Sequence, residues 1–509
     1  MPMQSQSLSG FDTDHLQADL KGRSVRGGLV NLTSQGAQFL IQSIATVALA
    51  RLLTPADFGL VAMVATVTGL GQAFADLGLS EATIQRKEIN HNQVSALFWI
   101  NVAIGLGLML VTVALAPVLV RFYQDPRLIN ITFLLSLTFL IGGLRVQPDA
   151  LLKRQMRFSS LAVRDVASYG LAVLVAITMA SRDAGYWALV ALPLTLNFTQ
   201  MALSWLMVKW RPGLPRRDAH VGSMIAFGGN VAASYFIVTV TRSVDNVLIG
   251  WYWGAGPLGL YSRAYNLLML PVRQLTVSAS SVAIPAFSRT QGDPEHFARY
   301  YLRAANLIMW ISAPLFGFLF VVAKPLIVII LGNQWREAAP VFQILAISAL
   351  GQLLLELSIW TFVSRGQSKQ LLKLLLIISP FIVASFAIGL PFGIKGVALS
   401  GSLVLLSILP WMLKFTFRGT TLTLQRLGRA LLYPVSLSLA AVILAEFAIR
   451  LIAPGPTFSQ LLVSALSFVA VYSLSSLIPP VRAEMMALRK LSSELRPAGG
   501  STSLISTIT

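Results

Sequence analysis

The sequence predicts an all-α protein that crosses a membrane many times, with about fourteen transmembrane helices. Hydrophobic residues make up 55% of the 509 positions and charged residues only 12%, which is about half the charged share of soluble domains. Apolar windows of about 20 residues, the length that spans a bilayer, recur along most of the chain. Lys and Arg are concentrated in alternate connections between these windows, as in multi-pass membrane proteins.

The elements follow in a regular order. Residues 1–27 are polar and lack the apolar core of a signal peptide, so we predict a cytoplasmic tail. The first lobe, 28–208, has spans near 28–50, 58–79, 94–120, 128–147, 161–180 and 185–208. After a basic cytoplasmic linker at 209–220, the second lobe, 221–417, has spans near 221–250, 256–287, 301–323, 338–364, 370–391 and 396–417. Two appended helices within 427–479 and a polar cytoplasmic tail at 480–509 follow.

The distribution of basic residues predicts the orientation. Of the 39 Lys and Arg residues, 28 fall in the tails and the even-to-odd connections, eight in the opposite loops and three within apolar spans. The positive-inside rule therefore places both termini in the cytoplasm. The net charge of +19 is mostly this topological signal, so we expect no nucleic-acid partner.

An internal repeat supports the two lobes. The segment Ala50–Val61 precedes Gly250–Tyr261 by about 200 residues, and each joins the first two spans of its half. A repeat of this kind is common in transporters and predicts two six-helix lobes of like topology.

The first span carries four amides on one helical face, Asn31, Gln35, Gln38 and Gln42, at spacings of 4, 3 and 4. Amides exposed to lipid are costly, so this face predicts either the lining of a wet cavity or hydrogen bonds between helices.

The seventh span repeats this pattern with Asn230 and Asp245, and adds Arg242 one turn before Asp245. An arginine at the bilayer centre needs a partner or water. The two alternatives are an ion pair with Asp245 that fixes the helix and a cation that binds phosphate oxygens in a cavity.

The eighth span contributes Arg263 and Arg273, which lie ten residues apart and therefore on nearly the same helical face. Together with Arg242 they would present three cations to an anionic head group, unless Arg263 only extends to the outer interface.

Few groups here could couple ions or perform catalysis. Asp245 and Glu356 are the candidate ion-coupling carboxylates within spans. The chain has no Cys and only four widely separated His, so we expect no metal site, no cofactor and no catalytic residue.

Several segments together resemble a known family. They are 50–63, 78–87, 121–126 and 185–191 in the first half, and 258–266, 285–289 and 332–335 in the second. The likeness covers about residues 25–420. The chain resembles the polysaccharide-transporter branch of the multidrug, oligosaccharidyl-lipid and polysaccharide flippase superfamily, in particular the O-antigen, colanic-acid and teichuronic-acid exporters of bacteria.

The resemblance implies six plus six helices around a central cavity that opens alternately to each side. It implies a flippase, not an enzyme, that moves undecaprenyl-pyrophosphate-linked oligosaccharide units across the bacterial inner membrane. Expected partners are this lipid-linked oligosaccharide and membrane lipids, with a polysaccharide polymerase and a chain-length regulator as further candidates.

Three alternatives remain. A lipid II-type flippase would share the fold and mechanism. A drug–cation antiporter would offer acidic groups to its substrate, whereas the predicted inward charges are mainly Arg. A polymerase or membrane glycosyltransferase should show a large extramembrane loop or an acidic cluster, and neither is evident in the sequence.

Overall fold

The computed structural model describes residues 20–72, 74–75, 78–86, 89–214, 239–240, 243–290, 292–452, 457–475, 477–479 and 481–482. These residues form helices, turns and short links, with no β-strand among them. The first eight helices are α1 Leu20–Leu52, α2 Pro55–Gln72, α3 Leu79–Gln85, α4 His91–Tyr123, α5 Leu128–Arg154, α6 Phe158–Ala180, α7 Tyr186–Met207 and α8 243–253. The next eight are α9 Ala255–Arg289, α10 Pro294–Val321, α11 Ala323–Ile330, α12 Ala339–Ser364, α13 Ser368–Gly389, α14 Gly393–Thr416, α15 Leu424–Ile452 and α16 Thr457–Ser475.

Ten helical stretches in the described part of the chain are long and apolar enough to cross a membrane, so the predicted all-α multi-pass class is confirmed. The helices α1 and α2 are not among the ten, and the amides of α1 lower its apolar content. The helices α13 and α14 belong to one stretch, Lys369–Thr416. Most of the seventh predicted span lies outside the described residues. The number fourteen therefore stays a prediction.

The chain packs as two compact units. The first contains the described residues of Met1–Leu267, Ile327–Val341 and Leu372–Gly401, and the second those of Leu268–Leu326, Phe342–Leu371 and Ser402–Thr509. The predicted boundaries of the tails, lobes, linker and appended helices stay predictions.

In the first unit, α4 and α5 cross closely at a pair of glycines. A Cβ added at Gly105 would press on the carbonyl of Phe139, and one added at Gly143 would press on the carbonyl of Asn101. Small residues allow such backbone contact between membrane helices, which packs the helices without any large side chain between them.

The repeated segments pack against each other. A Cβ at Gly59, on α2, would clash with the backbone of Ala255, and a Cβ at Gly259, on α9, would clash with the backbone of Pro55. The contact is therefore reciprocal between positions 200 residues apart, which is the pattern that twofold-related segments produce.

In the second unit, α10 packs against α15 and α16. Ser438 donates to the carbonyl of Ala313 at 2.6 Å and Asn306 to that of Ala430 at 2.7 Å. Apolar packing between Val321, Ala441 and Phe468 completes this interface. The helix α10 begins at an N-cap, Asp293, whose carboxylate accepts from two backbone N–H groups.

Candidate functional site

Six polar side chains form a network between α5, α6 and α7 in the first unit. The members are Arg145 and Asp149 on α5, Arg164 and Asp165 on α6, and Gln200 and Ser204 on α7. The pairs on α5 and α7 are four residues apart, so each pair shares one helical face. All three helices are candidate membrane spans.

Arg164 is the centre of the network, with only 7% of its side chain exposed. Its Nε and Nη2 donate to Oδ1 of Asp165 at 2.9 and 2.6 Å. Its Nη1 donates to Asp149 and, at 2.8 Å, to Oγ of Ser204. Ser204 in turn donates to Oδ1 of Asp149 at 2.6 Å. Every guanidinium nitrogen of Arg164 is thus used within the network.

Arg145, Gln200 and Asp165 form the more accessible side of the network. Arg145 lies near Asp149, with 3.4 Å between Nε and Oδ2, and donates through Nη1 to Oε1 of Gln200. Gln200 donates through Nε2 to Oδ1 of Asp165 at 3.2 Å. The side chains of Arg145 and Asp165 are 25% and 27% exposed. One amide therefore joins the two partly exposed charged groups.

The network carries no net charge, because its two arginines face two aspartates. Unpaired charges within a membrane span are costly, whereas paired and hydrogen-bonded charges avoid most of that penalty. Within the described ranges, no three His, Asp or Glu side chains are placed to hold a metal ion. The chemistry that this arrangement offers is hydrogen bonding.

The predicted amide face of α1 is largely free of helix packing. Asn31, Gln35 and Gln42 are exposed and Gln38 is half-buried. Gln38 donates to Oγ of Ser34, one turn earlier, at 3.0 Å. The exposure is what a cavity-lining face requires, and this role stays a prediction.

The amides of α1 lie at the same level as the network. Gly27 of α1 lies against Phe158 of α6, and further along both helices Ser34 donates to the carbonyl of Ala162 at 3.5 Å. The two helices therefore run in the same direction. Since Arg164 follows Ala162 by two residues, the amides near Ser34 lie at the level of the α6 members of the network along the helix axis.

Asp245, predicted to pair with Arg242, has other partners in the described part of the chain. Only 5% of Asp245 is exposed. It accepts from the hydroxyl of Tyr261 at 2.9 Å and from the backbone N–H of Asn246 at 2.8 Å. Arg242 and Asn230 lie outside the described residues, so their predicted roles stay predictions.

The predicted cations Arg263 and Arg273 differ in exposure. Arg263 donates to the carbonyl of Thr46 at 3.0 Å, and its guanidinium carbon lies 4.5 Å from the ring centre of Phe58. Arg273 is exposed, and Glu356 is half-buried. Arg273 and Glu356 belong to the second unit and Arg263 to the first, and their proposed binding or coupling roles stay predictions.

A second polar arrangement in the first unit joins two helix ends. Arg51, near the end of α1, donates to the carbonyl of Ile329, near the end of α11, at 2.5 Å. Gln334 and Trp335, which follow α11, donate to the carbonyl of Ala50 at 2.6 and 2.7 Å. The end of α1 thus donates to a carbonyl at the end of α11, and the residues after α11 donate to a carbonyl at the end of α1. These bonds satisfy terminal carbonyls that lack partners within their own helix. Segment 332–335, one of the segments that carry the family resemblance, therefore has a structural role in joining these helix ends.

The network on α5, α6 and α7 was not predicted from the sequence. The count of basic residues places Arg145 and Arg164 with the cytoplasmic connection, although the predicted spans 128–147 and 161–180 include both positions. In the structure α5 continues to Arg154 and α6 begins at Phe158. The spacing of Arg145 and Asp149, one helical turn apart, was the signal available in the sequence.

The fold and the network define a multi-pass helical membrane protein with a polar site inside its apolar helices. A family model described as "Polysaccharide biosynthesis protein" matches residues 48–340, and the chain belongs to this family. The resemblance given by the sequence segments is thereby confirmed.

Relatives and a solved structure agree with the family. The chain is 26% identical over 304 residues to the teichuronic acid biosynthesis protein TuaB of Bacillus subtilis (strain 168), and 26% identical over 308 residues to the lipopolysaccharide biosynthesis protein WzxC of Escherichia coli (strain K12). Each alignment covers 59% of this chain, and they span 63% and 62% of the relatives' own lengths. The fold is similar to that of the lipid II flippase MurJ in an inward closed conformation, with a TM-score of 0.68 and 13% identity over 89% of this chain and 99% of that one.

Proposed function

We propose that this protein is a flippase that moves lipid-linked oligosaccharide units across the bacterial cytoplasmic membrane by alternating access. The proposed substrate is an oligosaccharide joined by pyrophosphate to undecaprenol, destined for exopolysaccharide or O-antigen synthesis. The observation that carries the proposal is the polar network on α5, α6 and α7, within helices that are otherwise apolar enough to span a membrane.

The physical reason is the cost of moving sugars through lipid. Each hydroxyl that leaves water without a hydrogen-bond partner costs about 2–7 kcal/mol, so an oligosaccharide needs a polar path. The network and the exposed amides of α1 offer donors and acceptors at one level of the first unit. A carrier with such groups can replace the water that the sugars lose.

The pyrophosphate needs positive charge. Arginine guanidinium groups match phosphate oxygens in geometry, and Arg242, Arg263 and Arg273 are the proposed contacts. Arg273 is exposed, whereas Arg263 is already engaged by Thr46 and Phe58. A membrane potential that is negative on the cytoplasmic side favours outward movement of an anion by about 2.3 kcal/mol per charge per 100 mV. The potential can therefore assist export of the pyrophosphate. Asp245 and Glu356 are the proposed sites for any coupling ion.

The orientation and partners belong to the same proposal. The excess of Lys and Arg in alternate connections supports cytoplasmic termini. A polysaccharide polymerase and a chain-length regulator would act on the translocated units and are candidate partners. The protein itself would act as a carrier without catalysis.

Family membership favours this function over the alternatives. The matched family and both relatives are described by polysaccharide, teichuronic acid or lipopolysaccharide biosynthesis. The similarity to the lipid II flippase concerns the fold, at 13% identity, so lipid II remains the comparison substrate. A drug–cation antiporter would need unpaired carboxylates, whereas each carboxylate of the network is paired with arginine.

Reconstitution tests the proposal. The purified protein is placed in liposomes that contain a fluorescent undecaprenyl-pyrophosphate-linked oligosaccharide, and protection of the sugar from an added glycosidase reports movement between leaflets. We expect movement in liposomes with the protein and none in empty liposomes. Faster movement of lipid II than of the oligosaccharide lipid would favour the lipid II alternative, and movement of neither would refute the flippase function.

A further inference from the structure

We propose that the network on α5, α6 and α7 is the subsite that recognises the sugar portion of the substrate and not its phosphates. The inference rests on the proposed function, and it assigns neutral, hydroxyl-rich ligands to one set of residues. Phosphate recognition then falls to arginines outside this network.

Charge is the first argument. An anion is held by a cation in excess, and a metal or drug cation by a carboxylate in excess. Here Arg164 pairs with both Asp149 and Asp165, and Arg145 lies beside Asp149. The four charges cancel, so the network has no net attraction for an ion of either sign. A neutral polar ligand fits it better.

Remaining hydrogen-bond capacity is the second argument. Within the described residues, all bonds to Asp165 use its Oδ1, which leaves Oδ2 as an acceptor. Arg145 uses Nε and Nη1, which leaves Nη2 as a donor. These two groups are on the partly exposed side chains of the network. A sugar hydroxyl both donates and accepts, so neighbouring hydroxyls can use both.

Rigidity is the third argument. Gln200 bonds to both Arg145 and Asp165, and buried Arg164 fixes Asp165 from behind through two hydrogen bonds. The free donor and the free acceptor are therefore held by their own partners before any ligand arrives. Preorganised groups lose less entropy on binding.

The amide face of α1 offers further uncharged hydrogen-bond donors and acceptors. Asn31 and Gln35 are exposed, and the bond between Ser34 and Ala162 places them at the level of the α6 members. Amides carry a donor and an acceptor each and no charge. An oligosaccharide of several residues would need such neutral contacts beyond the network.

Binding of free sugar tests the subsite independently of transport. The probe is the lipid-free repeat-unit oligosaccharide prepared from the polymer of the source bacterium, and its binding to the detergent-purified protein is followed by saturation-transfer NMR. Gln200→Ala removes the link between Arg145 and Asp165, and we expect at least about tenfold weaker binding, since tenfold corresponds to about 1.4 kcal/mol. The matched control is Asn197→Ala, on the same helix, whose amide donates to the carbonyl of Pro193 and, among the described residues, takes no part in the network.

The outcomes separate the subsite from the flippase function. Binding by the wild type and by Asn197→Ala, but not by Gln200→Ala, supports the subsite even if reconstituted protein moves no lipid, and in that case only the flippase function fails. Equal binding by Gln200→Ala and wild type, or no binding by the wild type, overturns the subsite. Thermal unfolding of each variant identifies loss of fold.

A further variant distinguishes sugar recognition from ion coupling at the same residues. Asp165→Asn keeps one acceptor oxygen, which Arg164 and Gln200 occupy, and replaces the free Oδ2 by an NH2 group that only donates. Oligosaccharide binding should therefore weaken by about fivefold. If Asp165→Asn instead preserves sugar binding but makes lipid movement independent of an imposed proton or sodium gradient that drives the wild type, the network couples ions and its assignment as a sugar subsite alone is wrong.

Discussion

The reciprocal contact between Gly59 and Gly259 sets how closely α2 and α9 approach, so a methyl group at either position should force the helices apart. A Cβ at Gly59 would lie 2.8 Å from the Cα of Ala255, and a Cβ at Gly259 would lie 2.7 Å from the carbonyl carbon of Pro55. These are backbone atoms, which cannot rotate away as the end of a side chain can. The helices themselves would have to shift.

The expected loss of stability follows from two opposing effects. Replacing glycine by alanine inside a helix usually stabilises by about 0.5–1 kcal/mol, whereas overpacking a tight contact costs about 1–3 kcal/mol. Contact with backbone puts Gly59→Ala and Gly259→Ala at the upper end of that cost, for a net loss of about 2 kcal/mol. The first unit, which contains both glycines, covers about 300 residues. At an unfolding entropy of about 2.1 cal/mol/K per residue, a loss of about 2 kcal/mol lowers the midpoint of thermal unfolding by about 3 °C.

The assay is thermal unfolding of the purified protein in detergent, followed by tryptophan fluorescence. The matched controls are Gly69→Ala on α2 and Gly256→Ala on α9, where an added Cβ meets no described atom within 4 Å. The unfolding midpoints of both controls should equal or exceed that of the wild type. The double variant of Gly59 and Gly259 should lose less than the sum of the single losses, because both methyls press on one crossing. Equal stability of Gly59→Ala and Gly69→Ala would refute the reasoning.

Three further predictions concern the polar groups. The sequence contains no Cys, so a single introduced Cys can be labelled without background. The thiol of Gln35→Cys should react with a charged reagent, whereas that of Ser34→Cys, at a buried position, should not. If neither thiol reacts, the amide face lies against lipid. Trp335→Phe removes a buried hydrogen bond to α1 and should lower the unfolding midpoint, since such a loss costs about 1–3 kcal/mol; an unchanged midpoint would contradict the capping role. Arg263→Ala should reduce both stability and reconstituted transport, because its guanidinium is engaged within the fold. Arg273→Ala, at an exposed position, should reduce transport alone, and normal transport by both arginine variants would remove the phosphate-binding assignment.

Periodic and long-range signals in the sequence were the reliable ones. Apolar windows predicted the helical class, because a bilayer imposes a minimum apolar length on every span. The offset of about 200 residues between Ala50–Val61 and Gly250–Tyr261 reappears as the reciprocal contact of Gly59 with Ala255 and Gly259 with Pro55. Two equivalent segments that pack on each other must present equivalent surfaces, so both keep the same short pattern.

Pairing between helices could not be predicted from the sequence. Hydropathy defines the ends of a span poorly, so the count of basic residues places Arg145 and Arg164, near the ends of their predicted spans, with the connection although both lie on helices. Arg51 was counted as an outer-loop charge and proves to donate to the end of α11. On other helices, these three arginines have partners that are distant in the sequence, which are Gln200, Ser204 and Ile329. A one-dimensional pattern contains no information about which helix faces meet.

The separation of neutral and cationic polar groups bears on the choice of substrate. Replacing a buried ion network by apolar residues is often neutral or stabilising, so the network on α5, α6 and α7 is poorly explained by stability alone. A lipid-linked oligosaccharide has an uncharged part, the sugars, and an anionic part, the pyrophosphate. The first unit has a charge-neutral network and, at the same level, exposed amides, and Arg273 is an exposed cation elsewhere in the chain. A cationic drug would gain no charge attraction from the neutral network or from Arg273, whereas the proposed substrate, with its sugars and its pyrophosphate, needs both kinds of group.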